Sequence, residues 1–123
     1  MTYLYVAVGG AAGAMARFAI GGWVSRWAGP GFPWATFAIN VGGSLLLGIL
    51  LRVLPGPDAA PAARALLTVG FCGAFTTFST FGYETATLLQ SHSYGTAAGY
   101  AVASVALSVL GVFGGLWIGT HLA

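Results

Sequence analysis

The chain has 123 residues, 58% hydrophobic and 5% charged, with four arginines, no lysine and two acids, Asp58 and Glu84. A soluble domain carries about a quarter charged residues, so six charges cannot dress an aqueous surface and lipid is the main solvent. The net charge of +2 is too small to imply a nucleic-acid partner. The lone Cys72 excludes an internal disulfide and reads as a small packing residue, and no metal-ligand or nucleophile–base spacing points to an enzyme.

Four apolar segments follow one another, over residues 2–27, 33–54, 62–90 and 94–121. Crossing a hydrocarbon core of ~30 Å takes about 20 helical residues, so each segment spans once. The first has no Lys or Arg in its first sixteen residues and carries Arg17 inside its apolar run. It reads as a retained helix rather than a signal peptide, and it stops before Gly29-Pro30-Gly31. The second starts near Pro33 and stops at Pro55-Gly56-Pro57. Trp23, Trp27, Trp34, Tyr94 and Trp117 fall toward segment ends, as interfacial anchors do. His92 and His121 also fall near segment ends, where histidines are solvated. The whole reads as one all-α, multi-pass membrane domain.

Small residues recur four apart: Gly9 and Gly13, Ala38 and Gly42, Ser44 and Gly48, and Gly111, Gly115 and Gly119. This spacing predicts close helix packing. Four helices leave little room for a pore within one subunit, so an oligomer is expected. Both termini share one side with Arg52 and Arg64, against Arg26 on the other. Such a weak positive-inside bias permits insertion both ways up.

The third segment is interrupted by Thr76-Thr77-Phe78-Ser79-Thr80. Polar groups at membrane depth are tolerated where they face protein or water, and unwound backbone where it lines a cavity. This string is therefore the leading candidate for an ion or solute site. Thr36, Asn40 and Ser44 make a polar stripe on the second segment, and Tyr100, Ser104 and Ser108 another on the fourth. Asn40 has two readings: an interhelical hydrogen bond, or an NH₂ donor offered to an anion. Phe75, Phe78 and Phe81 sit at helical spacing, either as core or as ring edges turned to an anion. Glu84 lies on the face of Phe81 and Thr80. Arg17 has three readings: partner to Glu84, donor to backbone, or a snorkelling side chain. An intramembrane acid also admits a second function, a small proton-coupled multidrug transporter, although the first segment carries no acid.

Three ordered motifs resemble the Fluc (CrcB) fluoride channels over essentially the full length. They are Gly9-Gly10-x-x-Gly13-Ala14-x-x-Arg17-Phe18, then Pro33-x-x-Thr36-x-x-x-Asn40-x-x-Gly43-Ser44, then Gly70-Phe71-Cys72-Gly73-x-x-Thr76-Thr77-Phe78-Ser79-Thr80-Phe81 followed by Glu84. The resemblance implies a dual-topology homodimer of two antiparallel subunits in the bacterial plasma membrane, with the third helix broken near its middle. It implies two fluoride pathways, with Phe78, Phe81 and Asn40 in each and Ser79, Thr80 and Glu84 in a polar track. Tyr100, Ser104 and Ser108 match the fourth-helix track more loosely. It further implies a structural sodium ion at the dimer centre, held by the backbone carbonyls of Gly73 and Thr76. The implied activity is passive export of cytoplasmic fluoride.

Overall fold

In hydrocarbon the backbone has no hydrogen-bond partner but itself, and long apolar runs satisfy it as helices. The computed structural model describes residues 1–56 and 58–123, and among these it is all-helical. Pro57, part of the expected Pro55-Gly56-Pro57 stop, lies outside the described residues. The elements are α1 (Thr2–Ala28), α2 (Trp34–Val53), α3 (Pro61–Arg64), a π-helical stretch (Ala65–Cys72), α4 (Gly73–Phe75), α5 (Phe78–Gln90) and α6 (Tyr94–Leu122). From α3 to α5 is one span, so four segments are long and apolar enough to cross a membrane. The chain is a multi-pass membrane protein.

Local chemistry marks several of the ends. Gly29 closes α1 at φ 77°, a left-handed conformation that glycine takes without a Cβ penalty. Pro33 caps the start of α2, and Pro61 opens α3 where its missing N–H costs nothing. Helical dihedrals lapse at Thr76 (φ −80°, ψ 158°) and Thr77 (φ −149°, ψ 124°). They resume at Phe78, where the Thr77 hydroxyl accepts from the Thr80 N–H at 3.3 Å and caps α5.

The two largest helix interfaces skip sequence neighbours: α2 packs on α6, and α1 on the π-helical stretch. Both are backbone against backbone. A Cβ added at Gly48 would meet the carbonyl of Val112, and one at Gly115 the carbonyl of Leu45. Between α1 and the π-helical stretch, Gly9 faces the carbonyl of Leu66, Gly13 that of Phe71, and Gly70 that of Val6. Ala38 and Gly42, expected to pack at the same spacing, are instead exposed, and Gly42 has open space at its Cβ position. Neighbouring Gly43 is the buried one, against Thr76 and Phe75. Phe18, Trp23, Val69, Leu110 and Phe113 point outward and are exposed, as suits a lipid-facing surface. Cys72 is buried, a packing residue. His92 and His121 are exposed near helix ends.

Candidate functional site

The extended pair Thr76-Thr77 is held by a side chain from another helix. Asn40 on α2 donates from Nδ2 to the Thr77 carbonyl at 3.0 Å, and its Oδ1 accepts from the Thr77 N–H at 2.8 Å. Thr77 therefore has both backbone groups paired although it lies outside any helix, as buried backbone requires. Of the two readings of Asn40, the interhelical bond is made, and it uses one of the two Nδ2 hydrogens. The Arg17 question is also answered by backbone: its Nε donates to the Ala74 carbonyl at 3.1 Å. That carbonyl belongs to the last turn before the extended pair, where acceptors lose their helical donors.

Around this link lies a cavity of about 230 Å³. Asn40 and Ser44 line it from α2, Thr76 and Thr77 from the link, Phe78 and Phe81 from α5, and Ser104 and Ser108 from α6. No charged side chain is among these lining residues. The Thr76 hydroxyl is committed to the Cys72 carbonyl at 2.9 Å. The Ser104 hydroxyl is buried and has no partner among the described residues, an arrangement that costs about 1–3 kcal/mol unless something fills it. The rings of Phe78 and Phe81 are 5.6 Å apart and tilted by 40°. Phe78 is 82% exposed, so one of its faces looks out of the subunit.

The remaining candidates lie elsewhere. Thr80 and Glu84 line a second cavity of about 330 Å³ together with Arg17 and Thr36. The polar stripe on α2 is thus shared between two cavities: Thr36 serves one, Asn40 and Ser44 the other. Glu84 accepts from the Tyr100 hydroxyl at 2.9 Å. Tyr100 is enclosed and lines neither cavity. Ser79 is exposed, its hydroxyl 3.3 Å from that of Thr77. Gly73 is exposed on α4. No cluster of three His, Cys, Asp or Glu occurs among the described residues.

Val105 also lines the cavity and was not among the expected residues. Ser44 carried a signal, lying one turn beyond Asn40. Thr77 belongs to the Thr76–Thr80 string, but its contribution, a backbone N–H and carbonyl paired with Asn40, had no signal of its own.

The profile of the family described as CrcB-like protein, Camphor Resistance (CrcB), matches residues 4–116. The chain belongs to this family. A fluoride-specific ion channel FluC of Acidobacterium capsulatum is 47% identical over 123 residues, covering 99% of this chain and 98% of that protein. Proteins of the same description from Novosphingobium aromaticivorans and Thermus thermophilus are 49% and 44% identical, covering 93% and 98% of this chain and 92% and 94% of theirs.

Proposed function

We propose that the chain is a fluoride-selective channel, not an enzyme, that lets cytoplasmic fluoride leave passively and so relieves its toxicity. The observation that carries this is the cavity at Asn40. It is walled by serine hydroxyls, one Asn N–H left over from the Thr77 pairing, and the rings of Phe78 and Phe81. Hydroxyls and an amide donate to an anion, and ring edges add partial positive charge. The buried Ser104 hydroxyl supplies an unclaimed donor. With no full charge in the lining, binding stays weak enough for release, as conduction needs. Near-full-length relatives described as fluoride-specific channels support fluoride as the anion. The proton-coupled transporter reading is not favoured: the one intramembrane acid, Glu84, is held by Tyr100 and lies outside this cavity.

The working unit in this reading is an antiparallel homodimer inserted in both orientations, its third span broken at Thr76-Thr77. The exposed face of Phe78 supports a second copy completing the pathway. A structural sodium ion fits the same reading. The Thr77 N–H goes to Asn40 rather than to the carbonyl of Gly73 one turn back, and Thr76 is extended. The carbonyls of Gly73 and Thr76 are the ligands such an ion would take, and it would supply a fixed positive charge beside the anion path.

The decisive experiment is efflux from liposomes that contain only the purified protein. Fluoride leaves at rates far above empty vesicles and chloride does not. No fluoride efflux overturns the reading.

A further inference from the structure

Tyr100 has 0% of its surface exposed and is packed between residues that line different cavities. On one side its ring centre lies 5.1 Å from that of Phe81, which lines the cavity at Asn40. On the other it meets Phe32 edge to face, with ring centres 5.3 Å apart at 84°. Phe32 lines a third cavity, of about 480 Å³, under the turn between α1 and α2. The Tyr100 hydroxyl donates to Glu84, which borders the second and third cavities. Rings therefore run unbroken from Phe78 through Phe81 and Tyr100 to Phe32. In the channel reading, an anion that follows this line from the Asn40 cavity to the α1–α2 turn passes Tyr100.

Phe32 differs from the other rings in this series because it sits on a turn rather than a helix. Trp34 and Phe37 brace it, with ring centres at 4.4 and 5.7 Å. We propose that Phe32 is a positioning residue that holds the Tyr100 ring upright and so sets how large an anion the passage admits. The proposal rests on the channel reading above. Edge-to-face contact fixes the tilt of the Tyr100 ring and keeps its hydroxyl aimed at Glu84. Without Phe32 the ring leans into the third cavity and the gap widens. Fluoride, which already fits, gains little, whereas a larger halide gains much.

The test uses the full chain in liposomes, with fluoride and chloride efflux read on the same preparation. Phe32→Leu lowers the fluoride-to-chloride rate ratio about fivefold to tenfold, the scale of one lost aromatic pair. Phe32→Met, which keeps bulk without a ring, does the same, and Phe32→Tyr restores the parental ratio. Phe71→Leu removes a ring that stacks on Phe75, outside this series, and leaves the ratio unchanged. In a Tyr100→Leu background, Phe32→Leu has no further effect, the non-additivity that action through Tyr100 requires. A parental ratio in both Phe32→Leu and Phe32→Met overturns the proposal, as does an equal fall in Phe71→Leu or an additive double variant. A parent that passes no fluoride overturns the channel reading and this proposal together. A conducting parent with indifferent Phe32 variants overturns this proposal alone.

Discussion

The side-chain amide of Asn40 pairs with both backbone groups of Thr77, donating at 3.0 Å and accepting at 2.8 Å. A peptide unit that leaves helical geometry midway along the span Pro61–Gln90 is thus handed a substitute partner with the same donor–acceptor pattern. The same side chain keeps one hydrogen for the cavity.

Asn40→Asp separates these duties. The carboxylate still accepts from the Thr77 N–H but cannot donate to its carbonyl, and it brings negative charge to the cavity wall. Fluoride efflux from purified protein falls to background while the variant still elutes as a folded species. Asn40→Ala also strands the Thr77 N–H, and each stranded group costs about 1–3 kcal/mol, so its melting point in detergent drops further than that of Asn40→Asp. Parental flux in Asn40→Asp would falsify the assignment of this cavity.

The three phenylalanines of the third span separate by role. Phe78→Ile and Phe81→Ile lower fluoride efflux by an order of magnitude or more. Phe71→Ile, whose ring stacks on Phe75 at 5.6 Å, lowers thermal stability and leaves flux within about twofold of the parent, consistent with an aromatic pair worth about 0.5–1.5 kcal/mol. Equal flux losses at all three positions would make packing the whole cause.

Glycine substitutions divide by what their Cβ meets. Gly48→Ala and Gly13→Ala drive a methyl into a facing carbonyl and cost about 1–3 kcal/mol. Gly95→Ala has open space and gains about 0.5–1 kcal/mol from helix propensity. Melting curves of the three variants in one detergent check the order, and a destabilised Gly95→Ala would contradict it.

Orientation responds to charge in the proposed dual-topology unit. Two lysines added beside Arg26 bias insertion one way, and two beside Arg64 the other. Each biased variant alone conducts poorly, and co-expression restores fluoride resistance. Full activity from one strongly biased variant would rule out an antiparallel unit.

Sodium acts on structure in this scheme. Flux continues down a fluoride gradient with no sodium gradient and declines after prolonged sodium removal, as for an ion held in a closed carbonyl site. Fluoride driven uphill by a sodium gradient at zero membrane potential would indicate coupled transport instead.

The membrane character and the four spans were legible because composition alone dictates them, and Thr76–Thr80 stood out because hydroxyls are scarce in lipid. Faces were less legible. Small residues four apart mark a stripe but not what it touches, so Gly48 and Gly115 face backbone while Ala38 and Gly42 face outward. The bond from Arg17 to the Ala74 carbonyl was one of three arrangements compatible with the sequence. Which one forms depends on where α1 crosses the end of α4, a tertiary fact. Phe32 escaped notice because a turn residue has no periodicity to betray its neighbours. The widening of residues 65–72 into a π-helix likewise has no local composition that announces it.

The pairing of α2 with α6 has a consequence for biogenesis. Their glycine contacts join Gly48 to Val112 and Leu45 to Gly115, so the closest partner of the second span is made only after the third. While the ribosome still holds the fourth span, α2 lies in the membrane with its glycine face against lipid. The nascent chain can dock α1 on the third span, but the other half of the bundle closes only after the fourth span has been made. A chain truncated before residue 111 therefore presents an unpaired small-residue face, the kind of surface that membrane quality-control proteases and chaperones are positioned to meet first.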